Sequence, residues 1–254
     1  MSPARPKERP SCACRNWIGT SGYNYPEWKG SFYPAKFPAA KMLPFYAARF
    51  TTVEINYTFY RLPNEKVLLS WAEATPEGFQ FTLKAPRRIT HDAKLEGCED
   101  LLRYFWTVSQ TLGPKLGVLL FQLPPSFKKN LRVFNAFLEW LPPNARAAFE
   151  FRHDSWHDED LFSCLRERNL ALCIADSERM TTPFVPTASY GYFRLRDEGY
   201  QEADIEKWAA AIKKEEGNWS DVFIYFKHEE EGKGPEFARR LMERLGPGPP
   251  SLSE

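Results

Sequence analysis

Eight short runs rich in β-branched and aromatic residues recur along this chain. They are Asn16–Gly19, Thr52–Tyr57, Phe79–Ala85, Leu116–Leu123, Ala147–Arg152, Ala171–Asp176, Tyr190–Arg196 and Asp221–Lys227. Helical spacing follows most of them, over Pro38–Phe50, Asn64–Ala74, Cys98–Leu112, Leu131–Leu141, Glu159–Arg168, Asp204–Glu216 and Gly234–Leu245. Strands that alternate with helices predict a parallel sheet, and eight such units are the number needed to close an α/β (β/α)8 TIM barrel as a single domain. The sixth unit departs from the pattern. After Asp176 the chain carries Pro183 and Pro186 with little helical periodicity, which predicts a loop or an irregular sixth helix.

The 254 residues suffice for one such barrel. The expected division is a disordered leader over 1–15, the barrel over 16–245 and a flexible tail over 246–254. The net charge of +1 supplies no global attraction to nucleic acid or anionic lipid, so a polyanion has to be held locally. No apolar stretch approaches the roughly 18 residues of a membrane span, and the Pro- and Arg-rich start lacks the apolar core of a secretory signal. Five scattered cysteines do not form a disulfide framework, and with Cys12 and Cys14 read as free thiols a cytoplasmic location is expected.

Barrels of this kind place their chemistry at the carboxyl ends of the strands. Residues two apart on a strand share a face, so Glu54 pairs with Asn56, Thr82 with Lys84, Glu150 with Arg152, and Arg194 with Arg196. Gln122 and Asp176 end the fourth and sixth runs, while the eighth offers Lys227 on one face and His228 on the other. Charges buried together need partners, and Glu54, Glu150 and Asp176 can offset Lys84, Arg152 and Arg194. The pattern suits either an ion-pair network that caps the barrel or a polar pocket whose carboxylates and lysine perform acid–base work. His91, in the run Arg87-Arg88-Ile89-Thr90-His91, joins Glu54, Lys84, Glu150 and Arg152 as a catalytic candidate.

Binding candidates are Ser21, Tyr23, Asn56, Tyr60, Arg61, Gln122, Trp156, Asp176, Arg194, Lys227 and His228. The loop tyrosines suit stacking on a sugar or base, whereas Trp28 and Phe59 are expected to pack against the following helices. Gly19-Thr20-Ser21-Gly22 lacks the ending of a P-loop, although its amides can cradle a phosphate, and no G-x-S-x-G nucleophile elbow is present. His153 and His157 have metal-ligand spacing, but Asp154, Ser155 and Asp158 beside them read as a helix cap. No cofactor is required by these residues; carboxylates there can hold a divalent ion weakly.

Several of these motifs together resemble the YecE-like family of TIM-barrel proteins, catalogued as a domain of unknown function. They are Ile18-Gly-Thr-Ser-Gly-Tyr with Trp28 and Phe32-Tyr-Pro34, Val53-Glu-Ile-Asn-Tyr-Thr-Phe-Tyr-Arg-Leu-Pro63, and Phe81-Thr-Leu-Lys-Ala-Pro86 with Ile89-Thr-His91. Phe121-Gln-Leu-Pro-Pro-Ser126 and Phe149-Glu-Phe-Arg-His153 with Trp156 complete the set. The resemblance implies a barrel without a reaction, and its motif residues fall on Glu54, Asn56, Lys84, His91, Gln122, Glu150 and Arg152. It departs at Tyr225-Phe-Lys-His-Glu229, where many members carry an asparagine-rich stretch.

Three functions fit. The first is an enzyme acting on a phosphorylated or sugar-containing substrate, including nucleic-acid phosphodiesters, with Glu54 or Glu150 as base and His91 or Lys84 as acid. The second is a non-catalytic module that binds nucleic acid or a metabolite. The third is a metal-free sugar lyase or isomerase using Lys84. The expected partner is an anionic or sugar-containing small molecule or nucleic acid, without a membrane; the sequence leaves the oligomeric state open.

Overall fold

The computed structural model describes residues 14–177, 180–197, 199–228 and 232–246. The expectations for the leader and tail fall almost wholly outside these residues. Eight parallel strands close a barrel: β1 (Arg15–Ser21), β2 (Thr52–Ile55), β3 (Gln80–Lys84), β4 (Leu116–Gln122), β5 (Ala147–Glu150), β6 (Ala171–Ser177), β8 (Tyr190–Leu195) and β9 (Asp221–Phe226). A two-residue strand, β7 (Met180–Thr181), pairs antiparallel with the end of β6. The sheet order is β5-β4-β3-β2-β1-β9-β8-β6, and pairing of β5 with β6 joins its two ends.

The outer layer consists of α1 (Met42–Ala47), α2 (Tyr57–Tyr60), α3 (Glu65–Glu73), α4 (Glu99–Ser109), α5 (Leu131–Trp140), α6 (Glu159–Glu167), α7 (Glu202–Glu215) and α8 (Lys233–Leu245). Polar side chains fix where several begin. Asn64 accepts from the Val67 amide, Asn130 from Val133 and Asp158 from Leu161, and Gln201 with Asp204 forms a capping box. Among the described residues no helix follows β6; β7 and the proline-bearing segment lie between β6 and β8, as the sequence predicts. No described helix is long and apolar enough to cross a membrane.

Local chemistry shortens two of the expected elements. The second strand stops at Ile55 because Asn56 is already helical (φ −84°, ψ −20°), so Tyr57–Tyr60 forms one turn rather than extending the strand. The helix expected over Pro38–Phe50 covers only Met42–Ala47; Pro38 is extended and a 3-10 turn at Ala39–Lys41 intervenes.

Alternation along the strands separates two apolar cores. Ile18, Val53, Phe81, Leu119, Phe149, Ile174, Phe193 and Ile224 face the helices. Trp17, Val118, Leu120, Ala148, Cys173, Tyr192, Phe223 and Tyr225 fill the barrel. At the amino ends of the strands Asp221 accepts from Trp17 at 2.8 Å, and Arg15 and Arg146 each donate to it at 3.0 Å. In the middle, the Tyr225 hydroxyl lies 2.8 Å from both Thr52 and Thr82. The barrel is therefore a packed core, and its polar chemistry collects at the carboxyl ends.

Candidate functional site

The inner-face residues that follow Tyr192 and the middle threonines toward the carboxyl ends meet around one guanidinium. Arg194 on β8 is almost fully buried, and Glu54 on β2 and Glu150 on β5 are fully so. Arg194 donates to Glu54 Oε1 from Nε (3.1 Å) and Nη2 (2.8 Å), and from Nη1 to Glu150 Oε2 (2.6 Å) and Gln122 Oε1 (3.1 Å). The remaining acceptors of Glu54 are used as well: the Tyr192 hydroxyl donates at 2.6 Å and the Ser21 hydroxyl also donates. Asn56 Nδ2 in turn donates to Ser21 Oγ at 2.8 Å. Burial alone would raise both carboxyls. The Arg194 charge, with the Ser21 and Tyr192 hydrogen bonds at Glu54 and with Arg152 and Arg196 at Glu150, outweighs it and holds them below the usual range.

Glu150 carries two further cations. Arg152 donates to it from Nε at 2.6 Å while its Nη2 reaches Gln122 Oε1 at 3.0 Å, and Arg196 Nη2 lies at 3.3 Å. Three arginines against two carboxylates leave the mouth with excess positive charge. Two buried polar atoms here have no partner: Arg196 Nε, a donor, and Asn56 Oδ1, an acceptor. Buried groups left in this way suit a ligand that brings both an anionic oxygen and a donor such as a hydroxyl.

Lys84 ends β3 beside this network and is only 8% exposed. Arg194 and its companions engage both carboxylates, and Lys84 has no ion-pair partner among the described residues. Its Nζ stands 4.1 Å from the centroid of the Phe59 ring. Burial, and then the Arg194 charge, lowers its pKa to about 7, against the weaker pull of Glu150 and Glu54. The Thr58 hydroxyl donates to the Lys84 carbonyl at 2.6 Å, which pins the turn bearing Phe59 to the strand bearing the amine. His91 sits in a π-helical turn (Arg88–Asp92), its ring 5.0 Å from Phe59 and its Nδ1 2.9 Å from Thr90 Oγ1. Burial and the nearby Lys84 charge lower it to about 4, so its imidazole is neutral at pH 7.

Thus Ser21, Glu54, Asn56, Lys84, Gln122, Glu150, Arg152 and Arg194 come together, with His91 beside Phe59. Other sequence candidates lie elsewhere. Trp156 is fully buried against Phe127, Phe134 and Phe151, and its Nε1 donates to the Phe127 carbonyl, so it packs the outer shell instead of facing ligand. Asp176 is out of phase with the inward Cys173 and Ala175; it accepts from Thr181 and Tyr200, each at 2.8 Å, and does not offset the mouth cations. His228 likewise shares the outward face of Phe226 and packs on Tyr200 and Phe237. Tyr23 stacks obliquely on Tyr46 in the outer core. Tyr60, 81% exposed, and Arg61 are surface residues after β2, and Lys227 follows Tyr225 on the inner register of β9. Trp28 is buried in the outer core, as its packing role predicts, whereas Phe59, also buried, meets Lys84 and His91 at the mouth.

Two members of the cluster, Tyr192 and Arg196, were not among the sequence's site candidates. The alternation Tyr190-x-Tyr192-x-Arg194-x-Arg196 carries the signal, since all four share the face of Arg194. A divalent ion fits these residues poorly. Both inner carboxylates are engaged by arginine, and no group of three His, Cys, Asp or Glu side chains suited to a metal occurs among the described residues. His153 Nδ1 accepts from the Ser155 amide and Asp158 caps α6, the helix-cap alternative to metal ligation.

The class so defined is a single-domain TIM barrel with a buried arginine–carboxylate network at its carboxyl-end mouth. The chain belongs to the family described as "Protein of unknown function DUF72", whose profile matches residues 17–253. It is 32% identical over 167 residues to the UPF0759 protein YecE of Escherichia coli K12, a match covering 63% of this chain and 59% of that protein. With the UPF0759 protein YunF of Bacillus subtilis 168 it shares 24% identity, over 90% of this chain and 94% of that one. A DUF72 family protein of Thermotoga maritima MSB8 superposes with a TM-score of 0.78 at 25% identity, covering 91% of this chain and 99% of the other. A second DUF72 family protein, from Enterococcus faecalis V583, gives 0.74 at 20% identity, covering 92% and 97%.

Proposed function

We propose that the protein is an enzyme whose active centre is the carboxyl-end mouth, acting on an anionic substrate that is phosphorylated or sugar-containing, with Lys84 as the group that exchanges a proton. The observation that carries this reading is the Lys84 amine, buried beside arginine cations with no carboxylate of the described residues paired to it. An amine that titrates near neutrality can take and return a proton at pH 7, which an ordinary lysine cannot do efficiently.

The other side chains divide the work. Glu54 and Glu150 stay ionised and are saturated by donors, so they position Arg194, Arg152 and Arg196 and are poorly placed to serve as the base. Arg196 Nε provides an uncommitted donor for an anionic oxygen, and Asn56 Oδ1 an acceptor for a substrate hydroxyl. The neutral His91 ring packs edge-to-face on Phe59, over which the Lys84 amine also stands. The free thiols Cys14, Cys98, Cys164 and Cys173 support a reducing, cytoplasmic setting.

The test is a turnover screen of purified protein against sugar phosphates, nucleotides and abasic, nicked and single-stranded DNA, with and without divalent ions. Turnover of at least one anionic substrate, lost in Lys84→Met and reduced in Arg196→Met, is the expected result. Activity equal in the wild type and Lys84→Met removes Lys84 from the reaction. Salt-sensitive binding without product in any condition favours a binding module instead.

A further inference from the structure

Resting on that reading of the mouth, we propose that Lys84 attacks its substrate directly, and that the substrate class is a hydroxylated aldehyde or ketone carrying a phosphate, held as an imine on Nζ. The geometry favours attack over simple proton exchange. Arg194 takes both inner carboxylates, so among the described residues no salt bridge restrains the amine, and its Nζ stands 4.1 Å from the centroid of the Phe59 ring. An amine in such a setting is a nucleophile available to a carbonyl carbon. The surrounding groups match the rest of the molecule: Arg196 Nε and the positive excess of the arginines suit a phosphate, and Asn56 Oδ1 suits a neighbouring hydroxyl.

The step balances without an oxidant or reductant. The nitrogen lone pair forms a C–N bond while the carbonyl π pair moves to oxygen, and a proton leaving nitrogen reaches that oxygen to give a carbinolamine. A proton taken up from solvent then lets the oxygen depart as water while the nitrogen lone pair closes the C=N bond, and nitrogen keeps its last proton. The protonated imine then draws electrons from the adjacent carbon, which eases loss of a proton or cleavage of a bond there. Its positive charge lies opposite a substrate phosphate held by the arginines.

The experiment incubates the full chain with glycolaldehyde phosphate and cyanoborohydride at pH 7, followed by intact-mass analysis and peptide mapping. The expected product is one adduct, weighing the aldehyde less one oxygen atom, on the peptide bearing Lys84. That site should react at least about tenfold faster than exposed lysines such as Lys66 or Lys213, because burial lowers the Lys84 pKa to about 7 and leaves much of its amine unprotonated at pH 7. Glycolaldehyde without the phosphate should react more slowly there, and glycerol 2-phosphate should slow the phosphorylated probe. Labelling of Lys84 no faster than surface lysines overturns the imine. Calorimetric titration of glycerol 2-phosphate separates the two ideas. Binding that is lost in Arg196→Met, with no trapping at Lys84, overturns the imine and leaves the anion site standing. Absence of both binding and trapping overturns the two together.

Discussion

Arg194 grips a single oxygen of Glu54 with two of its nitrogens, Nε at 3.1 Å and Nη2 at 2.8 Å, in a site from which water is almost wholly excluded. The same guanidinium also bonds Glu150, so its removal leaves buried Glu54 without its cation and Glu150 with only Arg152 and Arg196. Breaking a buried pair in this way costs about 3–5 kcal/mol, far more than an exposed pair contributes. Urea unfolding at pH 7 should therefore show Arg194→Met destabilised by at least that amount. Arg240→Met, which breaks exposed pairs to Glu202 and Glu236, should lose less than about 1 kcal/mol. Comparable losses in the two variants would mean that Arg194 does not hold the mouth together.

Lys84 opposes stability, and the sign can be worked out. Its folded pKa, about 7, lies below the unfolded value, so folding disfavours the protonated form. The penalty is fully present below about pH 7, shrinks as pH rises toward the ordinary lysine value of about 10.4, and vanishes above it. Lys84→Met, which keeps much of the side-chain volume, should raise Tm at pH 6–7. The gain should fade between pH 8 and pH 10 in a series of thermal melts. A gain constant across that range would mean that the amine is not desolvated.

The opposite end of the barrel responds to acid. Burial alone would raise Asp221, but hydrogen bonds from Arg15 and Trp17 and the Arg146 charge hold its pKa below the usual carboxylate value. A depressed carboxyl contributes stability above its unfolded pKa of about 3.9 and loses it as pH falls through the folded value. Asp221→Asn should be less stable than the wild type at pH 6, with the difference narrowing below pH 4 in guanidinium titrations. A difference that stays unchanged to pH 2 would count against the ionic role.

Close approach of β1 to β2 leaves no space at Gly19. A Cβ there would stand 2.2 Å from the Thr52 carbonyl oxygen and 2.8 Å from the Tyr46 hydroxyl. The first neighbour is backbone, which cannot yield without moving the strand. Gly19→Ala should lower Tm by more than 10 °C or abolish soluble expression, whereas Gly217→Ala, with open space around the position, should leave Tm nearly unchanged. Equal melts would show that the two strands can separate freely.

Much of this architecture can be read from the order of residues. Short apolar runs such as Leu116–Gln122 and caps such as Asn64, Asn130 and Asp158 are local signals, and the elements they predict form. Pro183 and Pro186 mark the place where, among the described residues, no helix follows β6. The errors have a common cause. Asp176 and His228 end strands just as Glu54 and Glu150 do, but one residue of phase turns them toward the helices. Arg196 has the right phase, yet its contact with Glu150 depends on strands 46 residues apart.

Local order along the chain sets where strands and helices form, the number of units and the inward phase of Glu54, Lys84, Glu150 and Arg194, because these depend on neighbours a few residues away. Only the closed barrel decided which charge meets which. Closure set Arg194 between carboxylates 140 and 44 residues distant in the chain, and by consuming both it left Lys84 without a counterion among the described residues. Desolvation and pairing are properties of a three-dimensional neighbourhood, and they turn an ordinary lysine into one that titrates near neutrality.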